Sequence, residues 1–344
     1  MNSTYQPRVT PWEIEEGDFH KLPSFEEKIR FLIHYAVLAP SGHNTQPWRF
    51  KLVPDGMLVY ADSSRCLAVA DPDNRELTIS VGASLMNLRV AAAHFGLGCE
   101  VKYLTDPSSS LRASVKISPS KFGYDERAEI FPAITKRHTN RRSYDNRELN
   151  EAAVWKLSKY SIAEKASLRV LLSREMQGRI ARLIAQGDRT QLSDPAYRTE
   201  LASWIRSNFA HEGDGISADG IGIPDFISRS GPWLVKTLNA GRFRGRADAQ
   251  LAAGAAALVL LHGEDTLESL LEAGELLERF LLTLTMMRLQ YSFFNQPIEI
   301  RELRGKLREM LGLNDMPQLL FRIGYGKPVT RRMPRRPLES VLVP

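Results

Sequence analysis

A short segment near the N-terminus carries closely spaced side chains that both donate and accept hydrogen bonds. The segment reads Ala39-Pro40-Ser41-Gly42-His43-Asn44-Thr45-Gln46-Pro47-Trp48. The hydroxyl of Ser41 and the carboxamides of Asn44 and Gln46 suit the edge of a flat heteroaromatic ring, on which carbonyls and nitrogens alternate. The alternative is a turn with no binding role, in which the polar side chains form hydrogen bonds to the backbone of their own segment. The local chemistry leaves both interpretations open.

A second cluster of polar residues is strongly basic. It reads Lys136-Arg137-His138-Thr139-Asn140-Arg141-Arg142-Ser143-Tyr144-Asp145. Arginine forks and a threonine hydroxyl match the oxygens of a phosphate monoester, which carries nearly two negative charges near neutral pH. Read alone, such a run is more often a solvated basic turn.

Regular elements on both sides should position the first segment. A helical face upstream is formed by Ile29, Leu32, Ile33, Ala36 and Val37. Ser24 and Glu27 have the spacing of a capping box, and the helix should stop at Pro40. Residues 48–53 alternate like a strand, and Pro47 favours an extended conformation at Gln46. We therefore expect a short, tightly held connection between a helix and a strand.

The rest of the chain mixes helical and strand patterns. Helices are predicted at about 76–95, at 129–136 and from Asn150, and strands at 58–61, 99–104, 111–117, 168–172 and 255–261. Residues 1–23 are polar and read as an N-terminal arm. Residues 208–248 are rich in Gly, Arg and Asp and poor in periodicity, which predicts a lid or a disordered segment.

Two long apolar stretches resemble each other. When residues 82–89 are aligned with 274–281, Leu85 matches Leu277 and Leu97 matches Leu289. A strand-like segment follows each of them. Any two buried helices can be aligned in this way, so the similarity alone leaves both duplication and chance open.

The composition is that of an ordinary globular protein. The 344 residues are 43% hydrophobic and 25% charged, enough for one large domain or two ordinary ones. We find no signal peptide and no spanning segment, so we expect a cytoplasmic protein. Cys66 and Cys99 have no disulfide or zinc spacing and are expected to be buried, and the seven histidines have no metal-ligand spacing. We therefore expect no metal.

The net charge of +6 is concentrated at one end of the chain. Residues 301–344 hold ten Lys or Arg and four Asp or Glu, which accounts for the whole excess. No helix-turn-helix or stacking-aromatic motif accompanies these cations. A small phosphorylated ligand explains a local cluster better than a duplex does, so nucleic-acid binding through the tail is the weaker interpretation.

Taken together, these motifs resemble the nitroreductase superfamily. The string Pro-Ser-x-x-Asn-x-Gln-Pro-Trp at 40–48 resembles its flavin-contacting segment, and the run at 136–145 resembles the basic segment that grips the flavin phosphate. Gln296-Pro297-Ile298-Glu299 is similar to the family's Pro-Ile-Glu loop near the reactive edge of the flavin, although Ile300 stands where many members have Gly. Residues 321–326 and 334–339 resemble the closing strand and basic tail.

The resemblance implies an α+β, nitroreductase-like fold that binds FMN. It suggests two tandem nitroreductase-like halves, 24–126 and 127–344, that form an internal pseudo-dimer, as in the Acg-like branch. Because each flavin motif occurs once, we infer one flavin per chain with the second site lost. The fused chain would be a monomer or would form a homodimer.

The resemblance also assigns residues to the cofactor. The ring edge is assigned to Pro40, Ser41, Gly42, Asn44 and Gln46, and the ring lining to Pro297, Ile298 and Glu299. The phosphate is assigned to Arg137, His138, Thr139, Arg141, Arg335 and Arg336, with Arg331 and Arg332 behind them. No catalytic side chain is nominated, because in such enzymes the flavin carries the reaction.

The implied activity is that of an FMN-dependent NAD(P)H oxidoreductase. It would reduce a small-molecule acceptor of the nitroaromatic or quinone type, with no nucleic-acid and no membrane partner. The alternative is an FMN-binding or sequestering protein with little turnover, in which residues 208–248 cover the ring face.

Overall fold

The computed structural model describes residues 11–119, 125–210, 212–329 and 331–343, and the predicted α+β fold is confirmed. The first part of the chain contains helices α1 (Phe25–Ala36) and α2 (Arg75–His94) and strands β1 (Trp48–Val53), β2 (Gly56–Ala61), β3 (Leu97–Tyr103) and β4 (Leu111–Pro119). A 3₁₀ helix at Glu126–Ala133 follows. Of the predicted N-terminal arm, residues 1–10 lie outside the described part.

The second part is longer and more helical. Its elements are α3 (Glu151–Lys159), β5 (Ala166–Leu171), α4 (Arg174–Ser193), α5 (Pro195–Trp204), β6 (Ile205–Arg206), β7 (Ile216–Ser217), α6 (Gly231–Thr237), α7 (Gly241–Ala253), β8 (Ala257–Gly263), α8 (Leu267–Met286), β9 (Gln290–Phe293), α9 (Gln296–Glu299), α10 (Arg301–Leu311), β10 (Met316–Gly324), α11 (Leu338–Val341) and β11 (Leu342–Val343).

Two main sheets divide the strands. One has the order β11-β1-β2-β4-β3, and the other has the order β5-β8-β10-β9. The last strand crosses to the first sheet, where Leu342 pairs in parallel with Phe50. Phe131 and Leu338 likewise pack in the core around α1 and α2. The first core thus takes residues from both predicted halves, and the boundary at 126 stays a prediction.

The capping box at the start of α1 is confirmed. The Glu27 N–H donates to Ser24 Oγ over 3.2 Å, and the Ser24 N–H donates to Glu27 Oε2 over 3.2 Å. These two bonds satisfy backbone donors that the first helical turn leaves free. The helix they start ends at Ala36, directly before the polar segment that begins at Ala39.

Two local predictions need correction. The helix expected at 129–136 is a 3₁₀ helix over Glu126–Ala133, which accommodates Pro132. Residues 208–248, predicted to be a lid or a disordered segment, contain β7, α6, two 3₁₀ helices and the start of α7, so the disordered alternative is wrong and the lid stays a prediction. The glycine content of α7 has a packing reason, because a Cβ at Gly245 would lie only 2.7 Å from the Ala185 carbonyl oxygen of α4.

Helices α2 and α8 touch through their backbones. A Cβ at Gly82 would lie 2.1 Å from the Leu271 carbonyl oxygen, and a Cβ at Gly274 would lie 2.0 Å from the Ile79 carbonyl oxygen. Only glycine permits this approach. Two 20-residue helices that cross at matched glycines are the arrangement expected of two tandem halves, but the duplication itself stays a prediction.

Replacing Gly274 should therefore be costly. We expect Gly274→Ala to lower the free energy of unfolding by about 1–3 kcal/mol or more, because the added carbon meets backbone that cannot turn aside. Gly178→Ala in α4 is the matched control, since no atom lies within 4 Å of its added carbon. Urea denaturation should show that variant unchanged or up to about 1 kcal/mol more stable. Equal stability of the two variants would contradict the close approach.

Both cysteines are free and half-buried. Burial raises the pKa of the Cys99 thiol to about 12. Within the described residues, no three His, Cys, Asp or Glu side chains stand close enough to hold a metal ion. The helices of the described ranges also lack the combination of length and apolar character needed to cross a bilayer.

Candidate functional site

The segment between α1 and β1 has an unusual backbone. His43, Asn44 and Gln46 have φ values of 49°, 57° and 53°, in the left-handed region that side chains rarely adopt. The extended conformation predicted for Gln46 is therefore wrong. Such conformations persist where tertiary contacts impose them, and they cluster at functional sites.

Those tertiary contacts are visible around Gln46. Its N–H donates to Ser41 Oγ over 2.9 Å, and its Nε2 donates to the Gly213 carbonyl oxygen over 2.7 Å. Its Oε1 accepts from the Arg336 N–H over 2.9 Å. Two distant parts of the chain thus fix the Gln46 side chain and nearby Ser41 fixes its N–H, and together they override the local preference set by Pro47.

Asn44 is held in a similar way. Its Nδ2 donates to the carbonyl oxygens of Gly215, over 3.0 Å, and Pro334, over 3.1 Å. Its Oδ1 accepts from a guanidinium N–H of Arg335 over 3.0 Å. The structure therefore brings together the predicted ring-edge residues, the predicted basic tail and residues 213–215.

Two buried arginines converge beside this segment. Arg137 donates to the Leu38 carbonyl oxygen over 2.7 Å, and Arg335 donates to the same oxygen over 3.1 Å and to that of Ala39 over 3.2 Å. The exposed fractions of Arg137 and Arg335 are 2% and 8%. These two predicted phosphate residues, far apart in sequence, meet directly before Pro40.

The carboxylate of Glu278 partly compensates the positive charges of these two arginines. Arg137 Nε lies 3.1 Å from Glu278 Oε1 on α8, and Arg137 also donates to the Tyr291 hydroxyl. Burial raises the pKa of Glu278 to about 7. Burial, and next the charge of Arg137, lowers the pKa of Arg335 to about 9. The cluster thus carries a buried excess of positive charge.

His138 lies against the same cluster. Its ring stacks on Trp12 with the centroids 5.4 Å apart, and the Arg335 guanidinium lies 4.8 Å from the Trp12 ring centre. Burial lowers the pKa of His138 to about 4, so its imidazole is neutral near pH 7. Its Nε2 and the Nε of Arg335 are buried without a hydrogen-bond partner in the described part of the chain.

Arg141 differs from these residues because it is exposed. Within the described ranges its guanidinium has no hydrogen bond or ion pair. Its pKa is nevertheless lowered, first by desolvation and then by the charge of Arg244. The charge of Arg141 in turn helps to lower the pKa of His43 to about 4, although burial is the larger cause. The Arg141 guanidinium is thus close enough to Arg244 of α7 and to His43 of the polar segment for their charges to interact.

The remaining predicted residues fall into three positions. Thr139 lies beside the Tyr291 hydroxyl. The Ile298 side chain packs into the core against α4 and β8. Glu299 accepts from Gln191 Nε2, and its pKa is raised by burial and by the charge of Glu76.

Glu76 links Glu299 to the polar segment. Its Oε2 lies 3.5 Å from the place where a Cβ on Gly42 would stand, and its Oε1 accepts from Asn295 Nδ2 over 3.2 Å. Burial raises the pKa of Glu76 to about 7. The carboxyl groups of Glu299 and Glu76 thus connect residues 297–299, which were assigned to the flavin ring, with the polar segment at 39–48.

Sequence reasoning missed several residues of this site. They are Trp12, Glu76, Glu278, Tyr291 and the backbone of residues 213–215. Of these, only Glu76 and Glu278 could have been recognised from the sequence. Each is a charged residue on the buried side of a long helix, and a buried charge needs a partner. The other contacts depend on tertiary structure.

The chain is similar along most of its length to proteins of Mycobacterium tuberculosis. No family model matches the chain. It is 29% identical over 334 residues to "Putative NAD(P)H nitroreductase Rv3131" of Mycobacterium tuberculosis, covering 92% of this chain and 91% of that protein. It is 27% identical over 327 residues to "Putative NAD(P)H nitroreductase acg" of the same species, covering 91% and 94%.

Solved structures are less similar. A nitroreductase with bound FMN from Bacteroides fragilis matches 59% of this chain and 93% of its own, at 14% identity and a TM-score of 0.36. The two relatives from Mycobacterium tuberculosis, in contrast, match along nearly the whole chain. The resemblance to the nitroreductase superfamily is therefore confirmed: this chain is similar along nearly its whole length to two relatives that are named putative NAD(P)H nitroreductases.

Proposed function

We propose that this chain is a nitroreductase-like flavin oxidoreductase that binds one FMN between two fused halves. The observation that carries the proposal is the convergence of Arg137 and Arg335 on the Leu38 carbonyl oxygen, with one carboxylate beside them. Buried charge without compensation is costly, so an anion belongs at this place. The relatives named as nitroreductases support flavin phosphate as that anion.

The donor set fits a phosphate. Arg137 and Arg335 bring two positive charges, and although their terminal nitrogens already bond within the chain, Thr139 and His138 lie next to them. A phosphate dianion would compensate the excess charge and would give the unpaired Nε of Arg335 a partner. These residues would therefore hold the phosphate end of the cofactor.

The ring end would lie toward Arg141. The carboxamides of Asn44 and Gln46 are already bonded within the chain, so they shape the segment whether or not they also touch the ring. The resemblance assigned Arg141 to the phosphate, but its exposed guanidinium has no hydrogen bond within the described ranges, and we propose instead that it donates to a ring oxygen or nitrogen. The assignment of Asn44 and Gln46 to the ring edge stays a prediction.

FMN, held by these residues, would supply hydride-transfer chemistry between NAD(P)H and an electron-poor acceptor such as a nitroaromatic or a quinone. The residues of this chain would bind, orient and shield the cofactor. We assign no side chain as a proton donor or nucleophile. The two halves, 24–126 and 127–344, would supply the ring segment and the phosphate grip respectively.

An anaerobic titration of the purified protein with NADPH and then NADH tests this function. We expect a yellow protein whose flavin absorption band bleaches on addition of one donor and recovers on addition of a quinone or nitroaromatic. A protein that contains no flavin and binds none on addition would overturn the site assignment. Bound flavin that stays oxidised would overturn the reductase function but not the site.

A second candidate, flavin sequestration, has its own structural support. Residues 213–215 lie over the polar segment, because their carbonyl oxygens accept from Gln46 and Asn44. A Cβ at Gly213 would lie 2.8 Å from the Arg335 carbonyl oxygen, so this segment also lies against the basic tail. Such a cover would restrict access to the cofactor.

Asp214 holds residues 213–215 in place, so replacing Asp214 should make this segment more mobile. Asp214 Oδ1 accepts two bonds from Arg206, over 3.1 and 2.8 Å, and its other oxygen accepts from Arg65. If the cover limits turnover, we expect Asp214→Ala to raise the rate of NAD(P)H oxidation about tenfold, since charge-assisted hydrogen bonds contribute about 1.5–3 kcal/mol each. Asp219→Ala, an exposed change in the same segment, is the control. Equal rates in all three proteins would argue against a blocking cover.

A further inference from the structure

One face of the helical segment after β7 is built from alternating aromatic and basic side chains. A 3₁₀ helix at Asp225–Ser230 runs directly into α6, and Gly231 at the junction has helical φ and ψ values of −51°. Phe226, Arg229, Trp233 and Lys236 are all exposed and spaced by three, four and three residues. Side chains at that spacing share one helical face.

The same chemistry continues into the first turn of α7. Arg242 and Phe243 are exposed there, after an exposed Leu238. The exposed fractions of Phe226, Trp233 and Phe243 are 91%, 63% and 76%. We call Phe226, Arg229, Trp233 and Lys236, with the neighbouring Arg242 and Phe243 that follow them in sequence, the basic aromatic face.

The cationic side chains of this face have no acidic partner within the described residues. Within the described residues, the side chains of Arg229, Lys236 and Arg242 take part in no ion pair or hydrogen bond. Asp225 is the sole acidic residue between 225 and 246, and it already bonds Asn208 and lies 3.5 Å from Arg331. Single exposed aromatics are common on protein surfaces, but three of them interleaved with free cations within eighteen residues mark an interaction surface.

We propose that the basic aromatic face docks on an anionic lipid surface. Aromatic rings lie at the headgroup level of a bilayer, while Lys and Arg beside them attract anionic headgroups. A second copy of this chain is a poor occupant, because a two-fold interface would set these cations against their own copies. The sequence-based expectation of no membrane partner rested on spanning segments, which docking from one side does not require.

Vesicle co-sedimentation of the full chain tests this docking. The probes are vesicles of phosphatidylcholine alone and vesicles with about a quarter phosphatidylglycerol. We expect binding to the anionic vesicles only, weakened by added salt. Trp233→Ser with Lys236→Ser should lower the partition coefficient at least about tenfold, since one surface cation alone accounts for about fivefold.

Trp155→Ser with Lys156→Ser is the matched control. Trp155 has an exposed fraction of 71% on α3 and is also followed by an exposed lysine, but it lies outside the basic aromatic face. This variant should bind like the native protein. Native protein that stays in solution, or that binds both vesicle types equally, would overturn the proposal.

Two further outcomes would also overturn it. One is equal loss of binding in both double variants. The other is concentration-dependent dimerisation in sedimentation velocity that Trp233→Ser with Lys236→Ser abolishes, because it would assign the face to a second copy. Since none of these residues belongs to the flavin site, flavin content should be the same in every variant, whatever the vesicle result.

Discussion

Arg137→Ala should abolish FMN binding and destabilise the fold. The change removes one of the two buried arginines proposed to hold the phosphate, and it leaves Glu278 buried without its ion-pair partner. Breaking a buried pair on one side costs about 3–5 kcal/mol of unfolding free energy. We expect the dissociation constant for FMN to rise at least about a hundredfold, as measured by fluorescence titration of the refolded apoprotein.

A double variant separates these two effects. Arg137→Met with Glu278→Leu removes both charges and replaces them with apolar groups of similar volume, which is often neutral for stability. We expect this variant to recover most of the unfolding free energy while FMN binding stays lost. Riboflavin lacks the phosphate and should bind the double variant as it binds the native protein. Native affinity for FMN in the double variant would show that Arg137 does not hold the phosphate.

The sequence predicted which side chains form the candidate site better than it predicted their geometry. The hydroxyl and carboxamide types at 41, 44 and 46 and the arginines at 137 and 335 were all identified from residue type and motif. Their convergence is visible only in the fold, where Arg335 reaches both Asn44 and the Leu38 carbonyl oxygen. No local pattern encodes a contact between residues almost three hundred positions apart.

Backbone conformation was the least predictable feature. Pro47 restricts Gln46 locally, yet Gln46 takes a positive φ because its N–H and both ends of its carboxamide are bonded to other parts of the chain. Local preferences amount to about 1 kcal/mol or less, and several tertiary hydrogen bonds outweigh them.

For residues 208–248 only the disordered alternative is wrong, and the glycine content that favoured it has a related physical explanation. Glycine marks loops when it supplies unusual backbone angles, but in α7 it permits close helix packing against α4. The two uses look alike in sequence. The matched glycines of α2 and α8 were visible as a repeat, whereas their contact was not.

Arg335→Ala should weaken FMN binding about ten- to a hundredfold. Its guanidinium donates to Asn44 and to two carbonyl oxygens, and it stacks on Trp12, so the change removes a phosphate ligand and loosens the polar segment. Arg331→Ala, in the same basic tail but half-exposed and paired 3.5 Å from Asp225, should change the affinity less than about threefold, because exposed pairs contribute little. Equilibrium dialysis against FMN and riboflavin measures both. We expect the Arg335 variant to lose its preference for FMN over riboflavin, because the phosphate is the group that distinguishes them. Equal losses in the two variants would mean that the tail acts through its overall charge, and Arg335 would then have no specific place in the site.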